Sequence, residues 1–176
     1  MAPPDAGGDP AGLARVTPDG LLRLGGGAWR CALGAGGVRA DKREGDGATP
    51  AGRMPLRRVL YRADRVAPPF GCRAPVEPLG PAEGWCDDPT HPDYNRRIAL
   101  PHPARHERLW REDGLYDLLG VLGWNDAPVV RGRGSAIFLH LARPGLAPTE
   151  GCIALPERDL RAVLAAGLTA VEVLPP

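Results

Sequence analysis

Between Gly134 and Leu155 the chain reads GSAIFLHLARPGLAPTEGCIAL, and no other stretch constrains the fold as much. Ser135, Ile137, Leu139 and Leu141 alternate with Ala136, Phe138 and His140. A period of two along an apolar run is the pattern of a buried strand, and it sets Phe138 and His140 on one face. Pro144, Gly145 and Pro148 follow, residues that turn a chain rather than extend it. A second short apolar run then starts at Cys152 and continues through Ile153 to Leu155. A strand, a loop of this length and a returning strand would bring the histidine beside the cysteine, as a Cys–His nucleophilic pair requires.

The chemistry of such a pair names further candidates. A cysteine attacks a carbonyl as the thiolate, and a free thiol with a pKa near ~8.5 is mostly protonated at neutral pH. His140, as a neighbouring base or as the imidazolium of an ion pair, would raise the thiolate fraction. Gly151 permits positive φ and close backbone approach, so the Gly151 and Cys152 amides are the expected oxyanion donors, each worth about 2.7–4 kcal/mol. The group that orients His140 is open between a backbone carbonyl and a side chain. Arg133 and Ser135, just before the strand, suit a substrate carboxylate, and equally suit a solvated loop and a strand edge. Trp124 and Asn125 are candidates for the cleft floor, although a tryptophan there equally serves a core. Glu150 would hold a substrate amine or face water. The plain alternative for Cys152 itself is a buried structural thiol.

Two motifs carry a resemblance. IFLH followed by Thr149-Glu150-Gly151-Cys152-Ile153 resembles the signature of the L,D-transpeptidase (YkuD-type) catalytic domain, in which a histidine precedes a [Ser/Thr]-x-Gly-Cys-apolar turn. Lys42-Arg43-Glu44-Gly45-Asp46-Gly47-Ala48-Thr49-Pro50-Ala51-Gly52-Arg53-Met54 resembles that family's Lys-x-Gly-Asp-x-x-Thr-Pro-x-Gly-x-Phe segment. Together they span roughly residues 20 to 174, in the family's order. Three departures stand beside the match. The histidine-to-cysteine gap, with 11 residues between, is short. Leu141 replaces a glycine. Glu150 and Ala154 replace a histidine and an arginine. These bear on substrate and acceptor rather than on the nucleophile.

The resemblance implies a mainly β, single-domain L,D-transpeptidase-like β-sandwich with short peripheral helices over residues 12–176. It also implies acyl transfer on peptidoglycan stem peptides through a Cys152 thioester, with Thr149 and Glu150 at the substrate. An amine acceptor gives a crosslink; water makes the same site an L,D-carboxypeptidase or amidase; a non-catalytic peptidoglycan-binding module is the rival from another class. No cofactor is expected, and a monomer is.

Composition sets the outer limits. A chain of 176 residues holds one domain with a real core. A net charge of +1 gives no polyanion-binding surface, so no nucleic acid partner is expected. The 24 glycines and 21 prolines, set against 43% hydrophobic content, point to a loop-rich β domain rather than disorder. If Cys152 is free, Cys31, Cys72 and Cys86 allow at most one disulfide. His91, His102 and His106 with Cys86 make a nominal metal cluster. Pro101 and Pro103 spoil a helical His102–His106 pair and no CxxC is present, so no metal is expected. MAPPDAGGDP has neither the basic nor the apolar region of a signal peptide. The resemblance implies the periplasm or envelope, while this N-terminus leaves the cytoplasm open. No stretch approaches the ~20 apolar residues of a membrane span.

In order, residues 1 to 11 are expected to be a disordered tail. Leu13 to Leu33 should form two or three strands joined by hairpins, and Gly34 to Gly52 a polar loop. Leu56 to Val66 should be a strand, with no regular structure assigned over Ala67 to Pro89. A short helix is expected over 104 to 111, with Glu107 and Arg111 at i,i+4 spacing. Leu115 to Trp124 should be a buried central strand. A helix of about ten residues should start with Pro156 at its first position and end before Gly167, burying Leu160, Val163 and Leu164. Thr169 to Leu174 should close the sheet.

Overall fold

The computed structural model describes residues 11–176. The expected disordered tail therefore lies outside the described residues, except for Ala11 in a turn leading into the first strand. Apolar bursts split by Pro18-Asp19-Gly20 and by Gly25-Gly26 become Leu13–Thr17 (β1), Leu21–Leu24 (β2) and Gly27–Arg30 (β3), joined as successive antiparallel hairpins. In the polar connection Val38–Arg39 (β4) and Thr49–Pro50 (β5) pair in parallel, so this loop has a ladder of its own. Gly52–Tyr61 (β6) is the longest strand, with ten residues.

Beyond β6 the expectations need correcting. Val76–Pro78 (β7) and Glu83–Cys86 (β8) are strands inside the stretch left unassigned. Arg97–Ala99 (β9) follows, and His106–Arg108 (β10) is a strand where a helix was expected. The reason is tertiary. β10 pairs with β8, His106 opposite Cys86 and Glu107 opposite Trp85, and so completes a three-stranded sheet in the order β10-β8-β9. A helix of two turns next to Pro103 would have no such partner, and isolated short helices are marginal in water.

Leu118–Leu122 (β11), Phe138–Leu141 (β12) and Ile153–Leu155 (β13) follow, then the helix Glu157–Ala165 (α1) and Ala170–Val173 (β14). β11 is buried at all five residues and lies between β6 and β12, as its apolar run requires. Pro156 caps α1 in an extended conformation instead of opening its first turn, and Leu160, Val163 and Leu164 form the buried stripe. The large sheet runs β13-β12-β11-β6-β14-β1-β2-β3, with β7 beside β6. The long strand is the joint: Gly52–Pro55 pair with β14, and Leu56–Tyr61 with β11. Bridges from Ala32 to Ala154 and from Gly34 to Thr149 then tie the segment after β3 to the far edge. The result is the mainly β fold with packed sheet faces that the sequence predicts.

β12 separates two cores. Ile137 and Leu139, with Ile153 and Leu155 of β13, face the main core of Val16, Leu22, Val171 and the α1 stripe. Phe138 faces a second core with Leu60, Leu109, Tyr116, Leu119 and Cys152, against which Trp85 of β8 packs. Burial of each large apolar side chain here stabilises by about 1.5–3 kcal/mol, which pins the period-two register of β12. Among the described residues, no helix is long and apolar enough to cross a membrane.

Candidate active site

β13 does not return antiparallel to β12. It runs parallel, with Leu139 opposite Ile153 and His140 opposite Ala154. A parallel pair needs a crossover, and the chain makes one through a 3-10 turn at Pro144–Leu146. Cys152, one residue before Ile153, therefore sits beside Phe138, on the face that carries His140. Both side chains line one cavity of about 480 Å³.

Cys152 is buried, 9% exposed as a residue. Its Sγ accepts the Phe138 N–H at 3.4 Å, and its own proton goes to Ala136 O at 3.3 Å. His140 Nδ1 donates to Leu141 O at 2.8 Å, so a backbone carbonyl orients the ring and leaves Nε2 as the acceptor. No hydrogen bond joins thiol and imidazole. Burial first, then the Glu107 charge, pushes the Cys152 thiol up to about 12, against the Phe138 N–H and Lys42. Burial pushes His140 down to about 4, opposed by its bond to Leu141. The resting pair is neutral thiol and neutral imidazole.

The turn before Cys152 is held from within. Thr149 Oγ1 donates to Cys152 O at 2.7 Å and accepts the Gly151 N–H at 3.1 Å. The Gly151 amide, expected to face an oxyanion, is thus already engaged by its neighbour's hydroxyl. Gly151 has φ +132, and a Cβ there would lie 2.8 Å from Ala48 O, so this position demands glycine.

The cavity wall contains groups that the local pattern did not single out. Tyr116 packs edge-to-face on His140, with centroids 5.2 Å apart, and its hydroxyl donates to Glu107 Oε1 at 2.6 Å. Arg111 lies 3.5 Å from the same carboxylate and keeps the predicted i,i+4 ion pair, although the backbone is not helical. Burial pushes the Glu107 carboxyl up, while Tyr116 and Arg111 pull it down. Lys42 is buried, ion-paired to Asp46, and donates to Arg43 O at 2.9 Å. Its signal was already in the sequence: it is the only lysine and lies in the quoted KREGDGATP segment.

The remaining candidates divide. Ser135, Thr149 and Glu150 line the cavity, with Ser135 Oγ donating to Glu44 at 2.8 Å. Arg133 is exposed outside the cavity, and its carbonyl accepts the Trp124 indole N–H at 2.8 Å. Trp124 packs on the main core and lines a separate groove, so it does not floor this cleft. Asn125 binds Val130 and Gly134 across its own loop. Of the nominal metal cluster, His91 and His102 converge with Asp93, and Cys86 and His106 do not join them. Both imidazoles accept a backbone N–H at Nδ1, from Asp93 and from Ala104. That places the ring protons on Nε2, where His102 faces Asp93 at 3.2 Å. A metal at Nε2 needs the opposite tautomer.

A thiol and an imidazole thus share one cavity of a mainly β domain. The chain belongs to the L,D-transpeptidase catalytic domain family (YkuD), whose model matches residues 16–173. A search of curated proteins finds no match. The family is the one its TEGCI and KREGDGATP segments resemble.

Proposed function

We propose that this protein is a cysteine-dependent acyltransferase of peptidoglycan stem peptides, acting at the cell envelope, with Cys152 as nucleophile and His140 as general base. The observation that carries this reading is that Cys152 and His140 line one cavity while Leu141 O fixes the ring with Nε2 as acceptor. Sγ attacks the carbonyl of the diamino acid at its bond to the terminal D-residue. The thiol proton passes to His140 Nε2 and from there to the departing amine as the C–N bond breaks, leaving a thioester. A second stem's side-chain amine attacks that thioester, forms the amide crosslink and restores the thiol. If water attacks instead, the products are a free carboxylate and the thiol. Cys152 N–H is the remaining candidate oxyanion donor. Glu107 and Glu150 on the cavity wall suit an ammonium of the diamino acid, and Arg111 and Arg143 a carboxylate.

Purified muropeptides incubated with the enzyme and resolved by mass spectrometry test the reading. Crosslinked dimer identifies the transferase and tripeptide alone the hydrolase. Turnover by Cys152→Ser equal to the parent would remove the thiolate mechanism.

A further inference from the structure

We propose that Asn95, remote from the cavity lining, is a positioning residue for the nucleophile: it holds the strained residue Ala136, whose carbonyl receives the Cys152 thiol proton. The inference rests on the reading of Cys152 as the nucleophile. Asn95 lies between β8 and β9, is 6% exposed, and has φ +58, a conformation that asparagine tolerates better than most residues. Its amide uses every hydrogen-bonding position. Oδ1 accepts Trp85 Nε1–H at 2.9 Å and Ala136 N–H at 3.1 Å. Nδ2 donates to Trp124 O and Asn125 O, both at 2.9 Å. Two donors on one side and two carbonyls on the other allow only one orientation of the amide.

Ala136 explains why such a clamp sits there. It is not glycine, yet its φ is +53, a left-handed conformation that costs an L-residue about 1–2 kcal/mol. Its methyl packs on the second core without fixing the backbone dihedral, and the bond from Asn95 to its N–H supplies a directional restraint. The opposite end of the residue is the carbonyl 3.3 Å from Sγ. A carbonyl oxygen there stabilises S–H and opposes charge on sulfur, whereas the Phe138 N–H at 3.4 Å favours charge. Asn95 thereby sets the polarity around a thiol to which it makes no hydrogen bond. The charged and titratable groups that face Cys152 are Glu107 of β10, Tyr116 before β11, His140 of β12, and Lys42 and Glu150 from loops. Asn95 bonds to none of them, so its effect is separable from theirs.

Asn95→Gly tests the role, because glycine keeps φ +58 without strain while the amide is lost. The rate of iodoacetamide addition at Cys152, followed by peptide mass spectrometry from about pH 7 to 10, should rise at least about threefold as the capping carbonyl is released. Turnover of a tetrapeptide stem should fall about tenfold in kcat, with KM changed less than about twofold, because the sulfur is no longer held. Trp85→Phe removes the other donor to Oδ1 but not the Ala136 bond, and should leave the alkylation rate at the parent value. Loosening of the fold would also expose the thiol and slow turnover. Alkylation through an opened chain accelerates in dilute urea, whereas alkylation within the folded site does not, so a urea-dependent rate in Asn95→Gly also overturns the inference. Parent-like alkylation in Asn95→Gly, or an equal rise in Trp85→Phe, overturns the inference and leaves the nucleophile reading standing. Turnover by Cys152→Ser equal to the parent overturns both.

Discussion

Cys152 and His140 enter one cavity from adjacent parallel strands, but they are two positions out of step along the ladder: Cys152 lies beside Phe138, and His140 beside Ala154. Two residues of strand are about 6.6 Å. Each proton accordingly goes to a nearer main-chain oxygen, the thiol's to Ala136 and the imidazole's to Leu141. Burial pushes the thiol up and the imidazole down, so the resting site holds no ion pair. Of the two roles open to His140, general base matches this arrangement. In the proposed mechanism the S–H leaves Ala136 O before Nε2 takes its proton.

The first prediction is a pH dependence of stability carried by His140. Its folded value lies near 4 and its ordinary value is 6.5. Between these the unfolded chain binds the extra proton, so stability rises with pH and is lost as pH falls from 6.5 towards 4. The window is worth about 3 kcal/mol at 1.36 kcal/mol per unit. Urea unfolding of the parent and of His140→Gln at pH 7 and pH 4.5 measures it. The acid loss should be smaller in the variant by about 2 kcal/mol, and equal losses would contradict the assignment.

Thr149 tests the turn itself. Its hydroxyl satisfies Cys152 O and the Gly151 N–H together in a buried setting. Thr149→Val keeps the shape and leaves both groups without that partner, which should cost about 2–4 kcal/mol in unfolding free energy. Thr149→Ser retains the oxygen and should stay within about 1 kcal/mol of the parent.

What could be read in advance followed the range of the forces involved. The alternation around Phe138 and His140 was legible because a strand buried on both faces imposes period two, and the α1 stripe because Leu160, Val163 and Leu164 recur at helical spacing. The three-stranded sheet was not. β10 has only three residues, and the partners that make it a strand lie twenty positions earlier around Trp85. Glu107 reaches the cavity through that pairing, and Tyr116, just before β11, meets it there. Arg133, Trp124 and Asn125 are near the motif in sequence, yet their loop closes on itself through Trp124 Nε1 and the Asn125 amide, which turns them away. Nothing local in Ser-Ala-Ile announces the left-handed Ala136, because the restraint arrives from Asn95.

Lys42 links the KREGDGATP loop to the thiol. Its ammonium is buried against Asp46, whose carboxylate also accepts the Arg43 and Ala48 N–H groups, and its charge favours the thiolate. Lys42→Met should destabilise by about 3 kcal/mol, because it strands a carboxylate among partly buried groups. It should also slow alkylation of Cys152. Adding Asp46→Asn should recover part of the stability, with a coupling of at least about 1 kcal/mol in a double-mutant cycle. Strict additivity in the unfolding free energies would show the pair to be independent.

Gly151→Ala should disrupt the turn that carries Cys152. Alanine at φ +132 is strained wherever it occurs, by about 1–3 kcal/mol. Here the added Cβ would also meet Ala48 O at 2.8 Å and Ile137 Cδ1 at 3.7 Å. The closer contact is to a backbone oxygen, so no side-chain rotation relieves it. Ala48 cannot retreat freely, since Thr49 beside it accepts the Gly34 N–H at 2.8 Å and reaches Cys152 O at 3.5 Å. The strain must therefore move the Cys152 turn. Unfolding should lose at least about 2 kcal/mol, and turnover should drop by more than the stability loss alone explains when assayed well below the melting temperature. Ala48→Gly in the same chain should not rescue it, because that change removes a methyl and leaves the opposing carbonyl in place. Rescue by Ala48→Gly would mean that the crowding arises from the side chain and that this account of the turn is wrong.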